Sequence, residues 1–173
     1  MKIKFTKEQI KFALDLAKKR HDAKHISFRN KDVAEFNNSN KLNLSSKLNV
    51  DNQYMSHYIG IMGEMAWAIA NNQQIDENIY SVRDSGQDFE GIEIKTITYF
   101  GKGEPELKIT KKEYERRKPP KVYVLARISI IRNEVELLGK ITRENFDATK
   151  VTKQYGPNKP VNYVVPASRM EEI

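Results

Sequence analysis

The segment Asp88-Phe89-Glu90-Gly91-Ile92-Glu93-Ile94-Lys95 constrains this chain more than any other. From Ile92 onward apolar and charged residues alternate, which is the period of a strand with unlike faces. Ile92 and Ile94 then share one face and belong in a core, while Glu93 and Lys95 share the other. A Gly86-Gln87-Asp88 turn just upstream folds Asp88 back beside them. Two carboxylates and an ammonium converging on one point suit a hard divalent cation and a water molecule. Hydrolysis of a phosphodiester needs that combination.

A chain of 173 residues is expected to form one domain, 1–173, with a proper core. Lys and Arg exceed Asp and Glu by 30 to 23, giving a formal net charge of +7. Such a balance favours a polyanionic partner, because each neutralised phosphate releases counterions. There is no cysteine, which excludes disulfides, a thiol nucleophile and Cys-ligated zinc. The N-terminus carries no apolar run of signal-peptide length, and no stretch is long and apolar enough to span a membrane. The expectation is a soluble, cytoplasmic protein with no membrane partner.

Thr6 and Gln9 have capping-box spacing, and Ile10, Ala13, Leu14 and Ala17 continue an apolar helical stripe that fades at Arg20 to His25. Residues 27–56 form a polar connection that Leu42, Leu44, Leu48 and Val50 can anchor. A second helix is predicted over Asn52 to Ala70, where Glu64 stands among Met62, Met65 and Ile69. A carboxylate on so apolar a helix must reach solvent or meet a cation. Strands follow at Ile79–Arg83, Asp88–Glu90 and Gly91–Thr98, and Leu107–Ile109 extends the sheet. Thr110 and Glu113 open a short helix through Arg117, stopped by Pro119-Pro120. Val122–Ile131 is the strongest strand and pairs with Glu134–Leu138, before a helix at Thr142–Thr149 and a late strand at Asn162–Val165.

Helix with Glu64, strands bearing Asp88, Glu93 and Lys95, helix, strand: this order, with the D-x4-E-x-K spacing, resembles the PD-(D/E)xK, or restriction-endonuclease-like, nuclease superfamily. The likeness covers residues 55–131, and Gln87 stands where the family name has proline. It implies an α/β (α+β) fold with an αβββαβ core, a central mixed sheet flanked by helices. It also implies a Mg2+-dependent DNA endonuclease, with Mn2+ able to substitute. Asp88, Glu93 and the Ile94 carbonyl then ligate the metal, and Glu64 joins them from the preceding helix. Lys95 is the further catalytic residue. Beside two carboxylates its pKa should rise, which favours a charged group that orients water over a general base. Cutting both strands of a duplex calls for a homodimer. The flanks 1–54 and 132–173 would carry DNA recognition or dimer contacts.

The same residues admit other readings. Glu93 and Lys95 also read as an ordinary edge-strand ion pair, with Asp88 a turn residue and Glu64 solvated. Glu90 and Asp84 compete for the acidic positions, although Glu90 falls on the opposite face of a regular strand. Lys111, Lys112, Arg116, Arg117, Lys118 and Lys121 form the densest basic cluster, which contacts a phosphate backbone or is simply a solvated face. Tyr99 and Phe100 stack on bases or pack at a strand end. His21 and His25 have i, i+4 spacing without a third zinc ligand, and His57 lies two turns from Glu64. The competing functions are a non-catalytic nucleic-acid-binding module on the same fold and a basic protein-interaction or inhibitor protein.

Overall fold

The computed structural model describes residues 1–27, 54–79, 87–98, 103–116 and 119–173. Its elements are β1 (Lys2–Lys4), α1 (Lys7–Ser27), α2 (Met55–Ala70), β2 (Ile92–Ile97), β3 (Glu106–Thr110), α3 (Lys111–Arg116), β4 (Val122–Ser129), β5 (Glu134–Thr142), α4 (Arg143–Thr149), β6 (Val151–Gln154) and β7 (Val161–Pro166). The class is mixed α and β, with a mixed sheet and flanking helices. The expected strand over residues 79–83, the anchors in 27–56, Asp84, Tyr99, Phe100, Arg117 and Lys118 lie wholly or largely outside the described residues. Among those described, no helix is long and apolar enough to cross a membrane.

Four strands form the first sheet in the order β1-β5-β4-β2. β1–β5 and β5–β4 are antiparallel, whereas β2 lies parallel to β4 with Glu93 opposite Tyr123 and Lys95 opposite Leu125. A parallel neighbour requires a crossover, and the segment containing β3 and α3 supplies it. Leu107–Ile109 does not extend this sheet as expected. It belongs to β3, which pairs with β7 in a second sheet ordered β3-β7-β6.

The first sheet is buried on both faces. Ile94, Val124, Ala126, Ile128, Val135 and Leu137 pack toward α1 and α2, alongside Ala13, Leu16, Ile61 and Met62. Tyr123, Leu125 and Ile141 face the other way, onto Leu107, Ile109 and Val165 of the second sheet and Phe146 of α4. The face switch along β5 has a local cause. Leu125 pairs with Gly139 and Ala126 with Leu137, so Leu138 is an extra residue and the alternation flips across it.

Helix α1 begins as the capping box requires. The Gln9 N–H donates to Thr6 Oγ1 at 3.3 Å and the Thr6 N–H donates to Gln9 Oε1 at 2.8 Å. It continues past the expected fading point to Ser27. Helix α2 sits hard against β2, because a Cβ at Gly63 would fall 1.8 Å from Thr96 Oγ1 and 3.4 Å from Ile94 Cγ2. The absence of a side chain at Gly63 sets how close the helix approaches.

Candidate active site

A tight turn brings Asp88 to the start of β2, where the sequence reading had a short strand. The Ile92 N–H donates to the Phe89 carbonyl at 3.0 Å, while the Asp88 and Phe89 N–H groups donate to the Ile92 carbonyl at 3.0 and 3.2 Å. Gly91 holds the third turn position at φ +75°, which side chains resist. The Gln87 side chain accepts the Gly91 N–H at 3.0 Å and steadies the loop. Glu90 is exposed at the turn.

Among the described residues β2 stands at the edge of its sheet, and half of its main-chain groups face away from β4. Those of Ile92 bond the turn just described. The Ile94 N–H donates to Asp88 Oδ2 at 2.6 Å. In an extended strand the N–H and C=O of one residue point the same way, so the Ile94 carbonyl also faces this edge. Peptide geometry places the Ile94 nitrogen about 2.4 Å from the Glu93 Cα, which puts Asp88 Oδ2 within about 5 Å of that carbon. Asp88 therefore bonds the peptide unit from whose Cα the Glu93 side chain departs, while the Glu93 carboxylate itself is paired with Lys95.

Glu93 and Lys95 share the face opposite Ile94, as the alternation predicts, but this face is covered. Glu93 is only 6% exposed. The Lys95 ammonium donates to Glu93 Oε1 at 2.7 Å and to Glu113 Oε1 at 2.6 Å. Burial alone would lower the Lys95 pKa; the Glu93 and Glu113 charges outweigh it and hold the ammonium above the ordinary lysine range. Beside Glu93, Tyr123 is pushed up by burial, against the pull of Arg143, whose guanidinium donates to its hydroxyl at 2.9 Å.

Glu64 occupies a different environment. It is 7% exposed on α2, and Arg20 of α1 donates to its two oxygens at 3.2 and 3.0 Å. Arg20 also donates to the Asp76 carbonyl at 2.6 Å. The carboxylate on an apolar helix has met a cation, and that cation ties α1 to α2. Lys95 bonds Glu93 and Glu113, not Glu64.

On α3, Lys111 and Lys112 are exposed and line a groove with Thr110, Glu115, Pro160 and Val161, with Lys111 3.9 Å from Glu115. Arg116 ends this helix. His21 packs edge-on against Tyr54 and His57, at 4.8 and 5.9 Å between ring centroids.

The oxygen-only donors at the edge of β2 suit a hard cation such as Mg2+. Among the described residues, no group of three or more His, Cys, Asp or Glu side chains gathers as a metal cluster. The donors on offer are two carboxylates and one main-chain carbonyl. Glu113 is the site residue that sequence reasoning missed. It was legible only as the third residue after Thr110, and the Glu113 N–H does donate to Thr110 Oγ1 at 3.1 Å. What brings its side chain to Lys95 is the crossover, which carries the first turn of α3 to β2. Comparison with known proteins gives no match: no family model, curated protein or solved structure is similar to this chain.

Proposed function

We propose that this chain is a Mg2+-dependent endonuclease of the PD-(D/E)xK type that hydrolyses phosphodiester bonds of DNA. One observation carries the reading: Asp88 bonds the peptide nitrogen that follows Glu93, one residue before a lysine held in its ammonium form. Asp88, Glu93 and the Ile94 carbonyl would hold the ion, which when bound polarises the phosphate and activates a water for in-line attack. Lys95 keeps its proton, orients that water and offsets charge developing on the phosphate. Glu64 would enter such a site with both of its oxygens already bonded to Arg20. The net charge of +7 and the exposed Lys111 and Lys112 suit a phosphate backbone. Cleavage of both strands would take two copies of the chain related by a twofold axis.

The test follows from the hydrogen bonds. Asp88→Asn keeps an oxygen for the Ile94 N–H, and Glu93→Gln keeps one for Lys95, yet each removes a charge. Both variants are expected to fold, to bind DNA and to lose Mg2+-dependent cleavage of plasmid and oligonucleotide duplexes. Full cleavage by either one would remove the metal assignment. Wild-type protein that binds DNA in a salt-dependent way and never cuts it would instead be a binding module.

A further inference from the structure

We propose that Glu113 is a positioning residue for Lys95, holding the ammonium at a fixed point above β2 and thereby tying the reaction to the placement of α3. The inference rests on the nuclease reading, with Lys95 as the charged group beside the phosphate.

Lys95 has a long, flexible stem, and one carboxylate two residues away on the same strand would leave its tip free to swing about that contact. Glu113 approaches from another element and binds the same nitrogen at 2.6 Å, against 2.7 Å for Glu93. Two acceptors on separate elements define a point where one defines only an arc. The three side chains are between 8% and 26% exposed, so solvent competes weakly for these contacts.

Helix α3 is short, but its place is secured from outside. Tyr114, the next residue, lies under the Arg143 guanidinium at 3.8 Å from its ring centroid and edge-on to Tyr163 at 4.9 Å. Its hydroxyl donates to Asp147 of α4. Arg143 in turn bonds Asp147 at 2.8 Å and Tyr123 at 2.9 Å. These contacts brace the first turn of α3 against β4, β7 and α4, so Glu113 is presented from a fixed base. Lys111 and Lys112 occupy the same turn and are exposed. A phosphate backbone gripping them would bear directly on the element that sets Lys95.

The experiment is a double-mutant cycle read in two ways. Single-turnover and steady-state cleavage of duplex DNA at saturating Mg2+ are measured for Glu113→Gln, Glu113→Ala, Lys95→Met and the Glu113→Gln/Lys95→Met pair. Urea midpoints are measured for the same proteins. Glu113→Gln should lower kcat by about 10- to 100-fold with KM nearly unchanged, the size expected of a displaced catalytic group. Glu113→Ala should lose more, since Gln still offers an oxygen to the ammonium. In the Lys95→Met background, Glu113→Gln should cost nothing further in rate, and the urea midpoints should likewise be non-additive. An unchanged kcat in Glu113→Gln, or a loss that recurs undiminished without Lys95, would overturn the proposal. Should wild-type protein cut no DNA, the nuclease reading falls. The urea cycle then decides the contact: coupling keeps Glu113 as the anchor of Lys95, and additivity removes it.

Discussion

Replacing Gly63 by alanine offers a direct measure of how tightly α2 is seated on the strand that carries the candidate site. By helix propensity alone the change should stabilise the protein by about 1 kcal/mol. The structure opposes it. The new Cβ would meet Thr96 Oγ1 at 1.8 Å and Thr96 Cβ at 3.1 Å, and the Cβ contact persists whichever way the β-branched side chain rotates. Helix and strand must therefore separate, at the upper end of the overpacking range of about 1–3 kcal/mol. The balance is a net loss of about 2 kcal/mol, or roughly 4–8 °C in Tm for a chain of this size. Urea unfolding followed by circular dichroism, with a thermal melt alongside, reads both figures. Thr96→Ala should rescue the variant, because it removes the clashing oxygen, a buried hydroxyl without a hydrogen bond. A coupling of at least about 1 kcal/mol between the two positions is expected. On the proposed nuclease reading, cleavage should also fall in Gly63→Ala and recover in the pair, since moving β2 moves Glu93 and Lys95. A neutral or stabilising Gly63→Ala would refute the close approach on which this arithmetic depends.

Two further predictions concern charge. Burial pushes the Asp147 carboxyl up, but bonds from Lys150, Tyr114 and Arg143 outweigh it and hold the pKa at about 2. A depressed folded-state value means stabilisation that is complete above the ordinary aspartate pKa of about 4 and lost as pH falls through about 2. Thermal midpoints measured from pH 2 to 5 should therefore rise more steeply for wild type than for Asp147→Asn; parallel curves would contradict the assignment. Replacing Lys111 and Lys112 by Gln should reduce the slope of log binding constant against log salt by about 0.9 per lost phosphate contact. An unchanged slope would remove Lys111 and Lys112 from the proposed DNA-binding surface.

Where a residue's chemistry acts locally, the sequence was easily read. The Thr6–Gln9 box formed, the alternation through β2 sorted Ile94 from Glu93 and Lys95, and the demand of Glu64 for a cation was met. The failures share a cause, which is that no local period marks them. β1 is three residues long, and β6 has every residue exposed, so neither shows an apolar rhythm. The sequence marks β5 only as far as Leu138, the bulged residue, because a one-residue insertion breaks the alternation there although pairing continues to Thr142. The second sheet joins β3 to strands about 50 residues later, a pairing that no window of sequence contains. In the sequence Glu113 shows as a capping-box residue and not as a partner of Lys95, since its destination depends on that long-range geometry.

The bond between Asp88 and the Ile94 N–H has a bearing on solubility as well as chemistry. A bare outer strand invites a stranger's backbone to zip alongside, the first step toward aggregation. Here the turn satisfies Ile92, and a negatively charged side chain covers the next donor along. Trimming that side chain to a methyl would leave a ready docking rail on the outermost of the described strands. The protein would then be expected to clump at concentrations that Asp88→Asn tolerates, so one carboxylate guards the rim of the sheet.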